Sequence, residues 1–70
     1  MEIVITQAYS RAECELMMEI IKAGSAVEKH NTYIGKHIIS QLVYRYRGSA
    51  YLFVLLNGTV KAFEELKAGD

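Results

Sequence analysis

The sequence predicts a small α+β domain, β-α-β-β-β in order, with one helix packed on an antiparallel three- or four-stranded sheet. Three observations carry that prediction. Two apolar runs rich in Tyr and β-branched residues, His37–Arg47 and Ala50–Leu56, are separated by Gly48-Ser49. Asn57-Gly58 then leads into Thr59–Phe63, so two dipeptides suited to two-residue hairpin turns divide the second half of the chain. Upstream, Ser10-Arg11-Ala12-Glu13 has the form of a capping box and opens a segment of helical period.

Taken in order, Glu2–Thr6 is a short strand candidate, with Ile3 and Ile5 on one side and Val4 and Thr6 on the other. The helix runs from the Ser10 cap through Ala23, where Gly24 stops it as a C′ residue. On a helical projection Arg11, Glu15, Glu19 and Lys22 share one narrow arc, and apolar residues fill most of the remainder. That apolar arc is about twice the roughly 100° stripe an ordinary surface helix needs, which predicts cover on more than one side. Ser25–Lys36 has no firm period and reads as a loop, with Tyr33-Ile34 pinned to the core. The tail from Glu64 reads as a frayed turn or short helix. A competing reading makes Thr59 an N-cap and Val60, Phe63 and Leu66 a helical stripe through Lys67.

The turns fix which residues share a face. With Gly48-Ser49 as the first loop, Tyr46 opposes Tyr51, Tyr44 opposes Phe53 and Leu42 opposes Leu55. With Asn57-Gly58 as the second, Leu55 opposes Val60 and Phe53 opposes Ala62. These residues form the face laid against the helix. The opposite face would be polar if it were simply solvated. Instead Val43, Leu52, Val54 and Phe63 make a contiguous apolar centre on it, ringed by Arg45, Arg47 and Lys61. An apolar centre inside a charged rim is the anatomy of an interface, and these seven residues are the candidate partner-binding site.

Size bears on the same point. The 70 residues make one compact domain, 1–70, near the lower limit for a self-sufficient core. Cys14 is the single cysteine, so no internal disulfide can staple the fold. Homodimerisation is the device left to complete the core. Eight basic and eight acidic residues cancel, which argues against a general nucleic-acid or membrane binder. No apolar run approaches the roughly 18 residues of a membrane span, and no signal-peptide pattern opens the sequence, so a cytoplasmic location is expected.

Catalytic chemistry finds little to work with. Cys14 sits in the apolar arc between Glu13 and Glu15, carboxylates that disfavour a thiolate. His30, His37 and Cys14 are not at zinc-site spacings, so no metal is expected. Glu64 and Glu65 are adjacent and point apart, and the glycines form no phosphate-cradling loop, so neither a catalytic pair nor a cofactor is expected. Residues 47–54, RGSAYLFV, partly follow the RNP1 pattern of RNA-recognition motifs. Ser49 and Val54 stand where two aromatics belong, and Glu2–Thr6 has no aromatic for a second platform. No family is matched on its motifs.

The sequence thus predicts a non-catalytic protein-binding module, a small dimeric regulator or inhibitor that occludes a partner protein. Lone, neutral, compact modules of this kind suit mobile elements that inhibit host machinery. The alternative is a small nucleic-acid-binding domain using the basic and aromatic sheet face, through phosphate contacts and stacking.

Overall fold

The computed structural model describes residues 3–6 and 8–67. Helix α1 (Arg11–Ala23) is followed by β1 (Ser25–Ile34), β2 (His37–Tyr46), β3 (Ser49–Leu56) and β4 (Thr59–Leu66). The strands pair in sequence order as one antiparallel sheet, and α1 lies across β2 and β1 on one side. The class is the expected α+β one, with one helix among the described residues on an antiparallel four-stranded sheet, but the order is α-β-β-β-β in place of β-α-β-β-β.

Helix α1 begins as its capping box dictates. Ser10 Oγ accepts from the Glu13 amide at 3.2 Å, and the Ser10 amide donates to Glu13 Oε1 at 3.0 Å. Each contact satisfies a backbone donor that the first turn leaves unpaired. The helix ends at Ala23, but Gly24 has φ −80° and ψ 174°, an extended conformation open to any residue. Glycine is needed there for space. A Cβ would lie 2.5 Å from the Ile20 carbonyl oxygen and 2.9 Å from that of Arg45, so the chain turns off the helix directly against β2.

The fourth strand comes from an unexpected segment. Ser25–Lys36, read as a loop, supplies β1, a ten-residue strand paired with β2 from Ser25↔Arg45 to Ile34↔His37. It lacks apolar alternation because it is an edge strand exposed on nearly every residue, so burial imposes no period on it. The turn that pins it, Gly35-Lys36, is Gly-first with φ +60° at Gly35. The segment expected as a first strand makes only one parallel bridge, Val4↔Thr59, with Ile3 and Ile5 packed on the core. Glu2 of that segment lies outside the described residues.

The β2–β3 turn is Arg47-Gly48 rather than Gly48-Ser49. Both residues have positive φ, 50° and 78°, as a type I′ turn requires, and Asn57-Gly58 repeats the arrangement at 49° and 87°. Tyr46 therefore pairs with Ser49, Tyr44 with Tyr51, Leu42 with Phe53 and Ser40 with Leu55. The change moves each partner by two places, which preserves the face of every side chain. Tyr44 still meets Phe53, now diagonally, with an edge-on ring contact at 5.5 Å.

In β4 the expected register fails at one residue. Leu55 pairs with Val60 as expected, but Val54 pairs with Ala62, leaving Lys61 as the extra residue of a bulge. Beyond it Phe63, not Ala62, opposes Phe53. The bulge turns the Phe63 ring to the helix side, where it stacks on Tyr51 at 5.7 Å and tilts against Phe53 at 4.9 Å. Aromatic burial offsets the lost ladder bond, and the extra lysine sits exposed on an edge strand. Strand β4 continues through Leu66, which excludes the helical reading from Thr59 and the turn or helix from Glu64. Residues 68–70 of that tail lie outside the described residues.

Among the described residues, Met17, Ile20, Leu42, Phe53, Leu55 and Val60 form the buried core. Its size makes each member costly to lose. Phe53→Ala is expected to destabilise by about 3–5 kcal/mol, and Tyr44→Ala, at the half-buried margin, by less. Denaturant unfolding checks both, and a near-neutral Phe53→Ala would mean that β3 is not the centre of the core. Gly24→Ala should cost about 1–3 kcal/mol, because the helix end must lift from the β2 backbone to admit a Cβ. An unchanged unfolding midpoint for that variant would remove the close approach.

Candidate protein-binding face

Directly opposed residues of antiparallel strands point to the same side, so the pairings give the open face as four cross-strand rows. They run Ser25–Arg45–Ala50–Leu66, Glu28–Val43–Leu52–Glu64, His30–Gln41–Val54–Ala62 and Thr32–Ile39–Leu56–Thr59. The middle columns, from β2 and β3, hold Val43, Leu52, Val54, Leu56, Ala50 and Ile39. All six are half-buried by their neighbours in the sheet. Helix α1 packs on the other side, and among the described residues no element covers this one.

The face is apolar inside and charged at its margins, but the charges have both signs. Arg45 is exposed beside Ala50, while Glu28 and Glu64 end the row that contains Val43 and Leu52. A shallow hollow of about 590 Å³ opens between β1 and β3, lined by Glu28, Lys29, His30, Gln41, Val43 and Leu52. It offers an apolar floor and polar walls, suited to a protruding side chain from another surface.

Of the seven residues expected to form the site, Val43, Leu52, Val54 and Arg45 share this face. Phe63 does not: the bulge places it in the aromatic cluster on the helix side. Arg47 occupies a turn position, its guanidinium 5.4 Å from the Tyr46 ring centroid. Lys61 is the bulge residue. The basic rim is therefore dispersed, not gathered. Glu28, Ala62, Glu64 and Leu66 belong to the face but escaped the sequence reading, because β1 and the bulge were both hidden from it.

Cys14, Asn57 and His37 have structural partners. Cys14, half-buried, lies 3.9 Å from the Thr6 carbonyl oxygen and 3.8 Å from that of Tyr9, where its thiol can donate. The Asn57 side chain accepts from the Ile38 amide at 2.9 Å and lies 3.0 Å from His37 Nδ1, which ties the second type I′ turn to the start of β2. Among the described residues no three His, Cys, Asp or Glu side chains gather as a ligand set. No helix among them is long and apolar enough to cross a membrane. Comparisons with protein-family models, curated proteins and solved structures give no match.

Proposed function

We propose that the chain is a non-catalytic protein-binding module, a dimeric cytoplasmic regulator or inhibitor that occludes a partner protein with its open sheet face. One observation carries this reading. The row Val43–Leu52 and its neighbour Val54 lie in the middle of a sheet face that the chain's own helix leaves uncovered. Burying such a centre against another protein releases water from apolar surface, and charges at the margin set approach and orientation. The half-buried valines and leucines are held rigid by the sheet, so little conformational entropy opposes docking.

The charge layout favours a protein over a nucleic acid as the partner. A phosphate-tracking surface needs several cations on one side, and the three expected cations occupy the open face, a turn and a bulge. Glu28 and Glu64 flank the apolar centre and would repel a phosphate backbone.

Substitution on the face separates the two classes. Val54→Glu should abolish capture of protein partners from a cell lysate while the circular dichroism of the fold persists, because the uncompensated charge enters the interface centre. Replacing Arg45, Arg47 and Lys61 together by Ala should weaken capture only modestly. Neither protein should show salt-sensitive affinity for a random oligonucleotide. Oligonucleotide binding that falls steeply with salt and vanishes in the triple-Ala variant would sink the protein-binding reading.

A further inference from the structure

We infer that two copies of this chain join along the free edge of β1, in an antiparallel pairing centred on Asn31 that makes one eight-stranded sheet. The inference gives the proposed dimer its contact and rests on that reading only for the existence of a dimer, not for what binds the open face.

The hydrogen-bond alternation of β1 shows what its edge offers. Ile34 and His37 flank a two-residue turn and so form a hydrogen-bonded pair. Counting back, Thr32 and His30 bond to β2, whereas Tyr33, Asn31 and Lys29 aim their amides and carbonyls outward. The β2 partner of Tyr33 agrees with this phase. Ile38 turns its backbone the other way, its carbonyl accepting from the Asn57 amide at 2.8 Å and its amide donating to Asn57 Oδ1. Among the described residues nothing pairs with the outer side of β1.

The opposite edge of the sheet is guarded. Val4 donates to the Gly58 carbonyl at 2.8 Å and accepts from the Val60 amide at 2.9 Å, covering the start of β4. The Lys61 bulge and the exposed Glu64 and Glu65 protect the rest. A β1-to-β4 contact, which would propagate from copy to copy, is therefore blocked. A β1-to-β1 contact closes on itself about a two-fold axis.

The register follows from the ends of the regular stretch. The irregularity at Val27 and the turn at Gly35 leave Glu28–Ile34 as uninterrupted strand, and its midpoint is Asn31. A two-fold axis there sets Lys29 against the second copy's Tyr33, His30 against Thr32 and Glu28 against Ile34, so no like charges oppose. Axes at Glu28 or Lys29 would set identical charges face to face. The central register also brings the two Asn31 side chains together. Asn31 Oδ1 is a buried acceptor with no donor among the described residues, and a turn of this side chain toward the edge would let the second copy's Asn31 amide supply one. The hairpin around this edge is also where exposed apolar side chains concentrate: Tyr33 is 68% exposed, Ile34 58%, Val27 48% and Ile38 37%.

Sedimentation or light scattering over a concentration series tests the pairing and its register. The wild-type chain should be a dimer at micromolar concentration. Tyr33→Lys, at an exposed site, should keep the monomer folded but weaken association by roughly tenfold or more, since two ammonium groups then meet on each side of the axis. Combining it with Lys29→Glu should restore the dimer, because a carboxylate then faces each new ammonium. Val54→Glu should leave the dimer intact, so a failure of the open face as a partner site is read separately. A wild-type monomer throughout, a Tyr33→Lys variant that dimerises unchanged, no rescue in the double variant, or loss of the dimer in Val54→Glu would each overturn the inference.

Discussion

Met17 and Ile20 of the helix rest on Leu42, Phe53, Leu55 and Val60 of the sheet, and the remaining structure is arranged around that contact. Strand β3 supplies two of the four sheet residues and lies between β2 and β4, which supply one each. The backbone of α1 lies nearest β2 and β1, and the buried Met17 and Ile20 side chains share one core with the β3 and β4 residues. Ile3 and Ile5 and the rings of Tyr44, Tyr51 and Phe63 close the core beyond it. A full burial of each such side chain contributes roughly 1.5–3 kcal/mol, so a core this small leaves a narrow margin over chain entropy. The Phe63 bulge and the close seat of Gly24 against β2 both serve to fill it.

A small core also explains the surfaces left over. One helix covers one side of a four-stranded sheet, and among the described residues there is no second helix for the other. The open side nevertheless carries Val43, Leu52, Val54 and Leu56, because strand backbones favour β-branched and large apolar side chains on both faces. On the helix the same excess appears. Leu16 is 39% and Met18 61% exposed, so the wide apolar arc expected to be covered on several sides is covered on one within a single chain. The open face and the β1 edge are separate resources, one made of side chains and the other of backbone groups. In the proposed dimer, pairing through the edge would leave the face free for a different protein.

Some of this was legible in the residues. Ser10 and Glu13 announced the helix start, because a capping box acts within four residues and needs no tertiary partner. Asn57-Gly58 announced its turn for the same reason. The side assigned to Val43, Leu52 and Val54 survived a wrong first turn, since the error was two residues and strand faces repeat every two. Strand β1 was not legible: SAVEKHNTYI carries no period because water meets it on almost every side. The Lys61 bulge was equally silent, and with it went the placement of Phe63.

What the sequence by itself determined was local: where the helix begins, where chains reverse, and which alternate residues must travel together. What only the tertiary structure decided was which segment became the fourth strand, which turn residue took positive φ first, and on which side Phe63 lies. The physical reason is the range of the forces involved. Caps and turns are satisfied by neighbours in the chain, whereas an edge strand exists only because β2 presents unpaired amides and carbonyls to it. A bulge, likewise, is chosen by the void that an aromatic ring can fill beside Phe53 and Tyr51.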